Sequence, residues 1–283
     1  MNIEKFIARR KELGYSQSEL ARGICTQATI SKFENGGKMI STKILTQLCQ
    51  RLNLSLSDIF PGPVDHDSKM FEKLARAEFD LITMEYDEAL GILDGLSLEE
   101  MGNDDTKMEY LFIKGYLLAL NNQPSDAAFC FDQILDGYDE THQTIYSQLA
   151  YVGLGLSFEQ QEKFDRAEFY FAKMPARLKT ITTNDVETTW KSLTMLFYTG
   201  DYYSKRGETA TGTMLLESLV DLSAAQQVAF YVARAKFRLA QNYSRQGADS
   251  QQIQDAVDEA YVFAKFNGNQ KLIARINEYR LKN

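Results

Sequence analysis

The chain has 283 residues, 44% hydrophobic and 25% charged, proportions that exclude a disordered or fibrous protein. Its net charge of −8 is uneven: residues 1–60 hold nine Lys and Arg against five Asp and Glu, and the remainder holds 22 against 34. A head of +4 on a body of −12 argues against a general nucleic-acid binder and suits a small DNA reader joined to a larger module.

No run approaches the ~18 apolar residues of a membrane span, and the charged start MNIEKFIARRKELG lacks the apolar region of a signal peptide. Three scattered cysteines, Cys25, Cys49 and Cys130, fit reduced thiols. The expected location is cytoplasmic, with no membrane partner.

Ile3, Phe6, Ile7, Arg10 and Leu13 recur at helical spacing until Gly14. Ser16-x-x-Glu19 reads as a capping box opening a second helix, with Leu20, Ala21 and Ile24 as its apolar stripe. Gly23 and Cys25 fall in a break, and Thr26 is the expected cap of a third helix from Gln27 to about Asn35. There Ile30 and Phe33 face inward, leaving Gln27, Ala28, Thr29, Ser31 and Lys32 outside. A glutamine amide can pair bidentately with adenine, Ala28 or Thr29 can meet a thymine methyl, and Lys32 can reach guanine or a phosphate. Gln17, at a helix N-terminus, suits a phosphate, and Lys38, after the Asn35-Gly36-Gly37 turn, suits the DNA backbone. Ser41 is the expected cap of a fourth helix with Ile44, Leu45, Leu48 and Leu52 inward, and Leu54–Phe60 closes a fifth. Cys25 reads more readily as a small buried residue than as a redox switch.

The segment resembles the Xre/Cro-type helix-turn-helix family through Gln17, Glu19-Leu20-Ala21 and Gln27-x-x-Ile30-Ser31-x-x-Glu34-Asn35-Gly36. The resemblance covers residues 3–60. It implies that Gln27, Ala28 and Lys32 face bases, that Gln17 binds a phosphate, and that Arg10 and Glu34 form a partly buried structural ion pair.

Pro61-Gly62-Pro63-Val64-Asp65 is the densest Pro/Gly cluster and marks a linker, 61–67, between a head of residues 1–60 and a body of residues 68–283. The body reads helical throughout. Tyr86-Asp87-Glu88-Ala89, Ser125-Asp126-Ala127-Ala128 and Phe164-Asp165-Arg166-Ala167 recur at a step of 39 residues. Leu154-Gly155-x-x-Phe158, Thr199-Gly200-x-x-Tyr203 and Leu239-Ala240-x-x-Tyr243 share a second pattern. A small residue lets two helices approach, and the aromatic fills the next gap. This resembles the tetratricopeptide repeat, with Tyr151, Leu154, Gly155, Phe158, Ala167 and Phe171 as the best matches. Five repeats are expected near 68–98, 106–137, 142–175, 185–223 and 227–265, with a capping helix at 269–281. The predicted fold is all-α: a five-helix helix-turn-helix domain, then a right-handed tetratricopeptide-like array.

In such arrays the first helix of each repeat lines the concave face. The projection places Tyr116, Leu156, Thr194, Phe197, Asp201, Arg234, Phe237, Gln241 and Arg245 there, beside Phe112, Val152 and Lys205. A groove apolar in the middle and charged toward the last repeats suits an extended peptide, with Arg234 or Arg245 available for a carboxylate. Core packing is the competing reading for each of these residues.

Catalytic chemistry is not expected. The only histidines, His66 and His142, lie away from metal-spaced partners, and no P-loop, dinucleotide turn or nucleophile elbow is present. No metal or cofactor is expected either.

Head and body together resemble the RNPP family of peptide-pheromone receptors of Gram-positive bacteria. The layout is most similar to the PlcR branch, and the head also resembles Rgg-type regulators. The resemblance implies a cytoplasmic homodimer that reads a palindromic double-stranded DNA operator and binds a short signalling peptide in the concave groove. Two alternatives stand beside it: a constitutive repressor whose repeats only dimerise or hold another protein, and a repeat-based adaptor with a secondary DNA-binding head.

Overall fold

The computed structural model describes residues 3–36, 40, 42–52, 54, 66–178 and 186–282. The chain divides into two compact units, Met1–Lys69 and Met70–Asn283.

The first unit contains α1 (Ile3–Glu12), α2 (Gln17–Ala21), α3 (Gln27–Gly36) and α4 (Thr42–Arg51). Their apolar stripes meet in one core, where Phe6, Leu20, Ile30, Phe33, Leu48 and Leu52 are fully buried. The rings of Phe6 and Phe33 meet edge to face, with centroids 5.1 Å apart. The capping box forms at both ends: Ser16 Oγ accepts from the Glu19 N–H at 3.2 Å, and the Glu19 carboxylate accepts from the Ser16 N–H at 2.8 Å. α2 ends against Arg51, whose guanidinium donates to the carbonyls of Leu20 at 2.9 Å and Arg22 at 2.6 Å. Leu13 lies beyond the end of α1 and is 38% exposed instead of extending the apolar stripe. The expected cap Ser41, the fifth helix beyond Leu54 and the Pro61–Asp65 stretch lie outside the described residues.

The second unit is an array of helical hairpins. Its pairs are α5 (His66–Thr83) with α6 (Tyr86–Leu93), α7 (Asp104–Leu120) with α8 (Pro124–Asp132), and α9 (Ile145–Gln160) with α10 (Phe164–Phe171). The short α11 (Met174–Leu178) follows; then come α12 (Val186–Arg206) with α13 (Thr209–Ala225), α14 (Val232–Gln246) with α15 (Ser250–Phe266), and the terminal α16 (Gln270–Lys282). His66 and Asp67, expected in the linker, already belong to α5.

Each hairpin turns in the same way. The N–H groups of Glu85, Gln123, Lys163, Glu208 and Ala248 donate to the carbonyls five residues back, of Asp80, Leu118, Phe158, Tyr203 and Tyr243, at 2.8 to 3.0 Å. The residue before each donor, Met84, Asn122, Glu162, Gly207 or Gly247, has positive φ, which makes five Schellman-type helix ends. Three residues before each accepting carbonyl stands a small residue: Ala77, Gly115, Gly155, Gly200 or Ala240. The second sequence pattern is therefore present in all five pairs, although an aromatic completes it in only three. The turns also correct the 39-residue step, for they lie 38, 40, 45 and 40 residues apart. Accordingly Ala89 and Ala167 are buried in the first and third pairs, but Ala127 rather than Ala128 is fully buried in the second.

The small residues seat neighbouring rings. A Cβ on Gly153 would stand 2.2 Å from the Phe131 ring, and one on Gly155 would stand 2.7 Å from the Phe171 ring. The array also closes on itself. Phe79 of α5 packs against Trp190 and Phe230, with centroids 6.1 and 5.5 Å away, and Arg234 donates to the Ile82 carbonyl at 2.9 Å across 152 residues of sequence.

Candidate functional sites: the α3 face and the repeat-array cavity

The first site is the outer face of α3. Gln27, Ala28 and Lys32 are exposed along it, on the side opposite the buried Ile30 and Phe33. Thr29 is half-buried instead, its hydroxyl 2.8 Å from that of Thr26, which caps α3 by accepting the Thr29 N–H at 3.2 Å. Gln17 is half-buried between two partners. Its Oε1 accepts from Gln27 Nε2 at 2.7 Å, and its Nε2 donates to Glu34 Oε2 at 2.8 Å. Glu34 in turn binds Arg10 bidentately, at 2.6 and 2.9 Å, with side chains only 3% and 10% exposed. A continuous chain of hydrogen bonds thus runs from a buried ion pair in the core to the tip of the exposed helix. Lys38 lies outside the described residues. Cys25 is half-buried, and burial raises its thiol pKa, the opposite of an activated thiolate.

The second site is a cavity of about 380 Å³ within the array. Apolar walls come from Leu120, Leu156, Phe197, Phe237 and Leu272, with Met84, Tyr86 and Tyr198. Polar groups line it as well. Asp201 sits between Lys205 Nζ at 2.9 Å and Arg238 Nε at 2.7 Å, and Lys205 also approaches Glu159 at 3.6 Å. Burial pushes the Asp201 carboxyl up, but the two cations outweigh burial and hold it below its ordinary value. Burial also raises Glu159, against the pull of Lys205.

Arg234 lies under the apolar wall. Its guanidinium is 4.7 Å from the Phe197 ring centroid and 4.2 Å from that of Tyr231, and it hydrogen-bonds Tyr198 as well as the Ile82 carbonyl. Arg275 of α16 reaches the rim beside Phe237. Among the described residues, the cavity lining carries Lys205, Arg234, Arg238 and Arg275 against Glu159 and Asp201. This leaves two positive charges in excess within a body that is acidic overall.

Of the residues projected onto the groove, Leu156, Phe197, Asp201, Arg234 and Phe237, with Lys205, line this cavity. The others do not. Tyr116 is fully buried and donates to the Leu149 carbonyl at 3.0 Å, with Phe131 and Tyr198 packed on its ring. Thr194 is buried, its hydroxyl 2.8 Å from that of Tyr231. Phe112 and Val152 are core residues at 0% exposure. Gln241 accepts from Arg238, and the exposed Arg245 donates to the Ser204 carbonyl in the last turn of α12. The physical reason is closure of the array: neighbouring rings fill what would be an open concave face in the middle repeats.

Sequence reasoning missed Tyr86, Glu159, Gln160, Tyr198, Arg238 and Arg275. Glu159 and Gln160 lie three and four residues after Leu156, and Arg238 lies four after Arg234, so helical spacing alone could have found them. Arg275 carried no signal, because its helix reads only as a cap.

Residues 7–59 match the helix-turn-helix family model. Among curated proteins, no sequence matches the chain. Three solved structures are similar over the whole length. PlcR of Bacillus thuringiensis, in complex with the peptide PapR7 and DNA, is 11% identical with a TM-score of 0.69, over 99% of this chain and 97% of that one. ComR of S. thermophilus, in complex with DNA and its signalling peptide ComS, is 14% identical with a TM-score of 0.65, over 100% and 99%. The SHP pheromone receptor Rgg2 of Streptococcus dysgalactiae is 13% identical with a TM-score of 0.50, over 100% and 99%. The chain thus begins with a helix-turn-helix and shares the fold of these proteins from end to end. Among the described residues, no helix is long and apolar enough to cross a membrane.

Proposed function

We propose that the chain is a cytoplasmic, non-enzymatic transcription regulator whose affinity for DNA is set by a short signalling peptide. Residues 1–60 read a palindromic operator, residues 61–67 connect, and residues 68–283 bind the peptide and hold a homodimer together. The observation that carries this reading is the full-length likeness to PlcR solved with PapR7 and DNA, and to ComR solved with DNA and ComS. One fold there serves two ligands, and this chain has a candidate face for each.

On the DNA side, Gln27, Ala28 and Lys32 meet base edges and Gln17 orients Gln27 while approaching the backbone. Thr29 serves the helix start, and Lys38 is retained as a backbone contact. On the peptide side, Leu156, Phe197 and Phe237 take apolar side chains. Arg234 and Arg275 take a carboxylate, and Asp201 fixes Lys205 and Arg238. The excess of two cations in the lining supports a ligand with a free C-terminus or an acidic residue.

Titration calorimetry with synthetic five- to ten-residue hydrophobic peptides, paired with operator selection with and without peptide, tests this reading. Saturable peptide binding that changes operator affinity supports it. Operator binding indifferent to every peptide indicates a constitutive repressor, and loss of all salt-dependent sequence preference indicates an adaptor.

A further inference from the structure

Three ionisable side chains from three helices, Glu78, Glu109 and Lys191, meet in the interior of the array, apart from the cavity, with the half-exposed Glu187 at their edge. Lys191 of α12, 1% exposed, places its Nζ 2.8 Å from Glu187 Oε1 and 3.4 Å from Glu78 Oε2. Glu78 belongs to α5, and its second carboxylate oxygen is buried without a hydrogen-bond partner. Glu109 of α7 is 5% exposed and faces the same ammonium. The Tyr146 ring of α9 lies 5.5 Å from Lys191 Nζ. The groups that face Glu109 are therefore Lys191 and Glu187 from α12, Glu78 from α5 and Tyr146 from α9, with Asp105 one turn away on its own helix.

Glu187 is half-exposed, but Glu78 and Glu109 are buried beside the one ammonium and cannot both stay ionised at low cost, because burial removes the water that would screen them. One bound proton brings the buried trio of Glu78, Glu109 and Lys191 to neutrality. Burial pushes Glu109 up to about 7, with Lys191 opposing and Glu78 and Glu187 reinforcing the shift. Burial raises Glu78 as well. Lys191 goes up despite its burial, because the acids around it favour the ammonium.

The position matters as much as the charge. Glu78 and Phe79 are where α5 reaches across to α12, and Trp190, next to Lys191, packs against both Phe79 and Phe230. The same α12 carries Phe197, Asp201 and Lys205 into the cavity wall. We propose that the Glu78–Glu109–Glu187–Lys191 cluster is a proton-operated latch, which fastens α5 to α7 and α12 when it holds a proton and loosens when fully ionised. A carboxyl whose folded-state value is raised favours the fastened form as pH falls and weakens it as pH rises through about 7.

Trp190 is the only tryptophan of the chain and reports the latch directly. Its emission is followed in the full-length protein, without peptide, from about pH 5.5 to 8.5, a range centred on the raised carboxyl rather than on ordinary carboxylates. The expected result is one transition with its midpoint near 7 and far-UV dichroism unchanged throughout. Glu109→Gln, which mimics the protonated acid, holds the emission at its acid-side value across the range. Lys191→Met, which removes the charge that favours ionised carboxylates, moves the midpoint up by at least about one pH unit. His142→Gln leaves the transition in place. A flat profile in the unaltered protein overturns the proposal. So does a transition that persists in Glu109→Gln with an unmoved midpoint in Lys191→Met, one that vanishes with His142, or one that accompanies loss of helix.

Discussion

Gln27 Nε2 donates to Gln17 Oε1 at 2.7 Å, so the amide at the tip of α3 is turned before any DNA arrives. One of its N–H donors is committed inward, and its oxygen and second N–H remain for a base edge. Gln27→Ala is expected to cost about 1–3 kcal/mol of specific operator affinity and to relax preference at one base position. Lys32→Ala, at a base edge one turn on, is expected to relax preference at a second base position and, by removing a cation, to reduce the salt slope by about one. Fluorescence anisotropy across a salt series, on selected and scrambled operators, distinguishes the two. Unchanged specificity in Gln27→Ala rejects the assignment.

Glu34→Leu leaves the Arg10 guanidinium buried without its carboxylate and cuts the Gln17 anchor. A loss of about 3–5 kcal/mol is expected, as for other buried pairs broken on one side. Because the chain forms two compact units, denaturant unfolding is expected to show an early step for the first unit only. A single, unshifted transition contradicts this.

Arg275→Ala tests the cavity at a position exposed enough to spare the core. Its removal is expected to weaken a peptide with a free C-terminal carboxylate about tenfold or more, and to leave the amidated peptide unaffected. Calorimetry on both peptides gives the comparison. Equal losses for the two assign Arg275 a packing role beside Phe237.

Asp139 accepts from Ser147 Oγ at 2.6 Å, the Thr144 N–H at 2.8 Å and Thr141 Oγ1 at 2.9 Å, which fixes the entry to α9. Burial would raise this carboxyl, but those donors outweigh it and hold it well below the carboxylate range. Its folded value is depressed, so its stabilisation is present above the unfolded value of about 4 and fades as pH falls below it. Asp139→Ala is expected to lose about 2–3 kcal/mol at neutral pH. Thermal melts of the variant and the parent should converge under acid conditions.

Gly153→Ala places a methyl group inside the Phe131 ring contact. Overpacking of this kind costs about 1–3 kcal/mol, read as a lower melting midpoint. Gly137→Ala, where nothing lies within 4 Å, serves as the tolerant control.

Much of the local structure was legible because it depends on neighbours in sequence. The capping box at Ser16 and Glu19, the break at Gly23 and the inward Ile30 and Phe33 all follow from spacing of three or four residues. The helix pairs were equally plain. Their register was not, because the turn residue with positive φ is Met84, Asn122 and Glu162 in the first three pairs, where no glycine marks it. Only the repeated hydrogen bond from the following N–H reveals that all five turns are alike.

What the sequence by itself determined is the order of helices, their buried stripes and the polar tip of α3, since short-range periodicity and capping act within a turn or two of chain. What only the tertiary structure decided is which groove-side residues still border open space. Tyr116 and Thr194 share the periodicity of Leu156 and Phe197, yet they are buried by Tyr198 and Tyr231, while Arg275 arrives from the terminal helix to border the cavity. The same long-range closure gathers Glu78, Glu109 and Lys191 from positions far apart in sequence into one buried cluster. The angle between successive hairpins sets that closure. It accumulates across the array from many side-chain volumes, and no short window of residues encodes it.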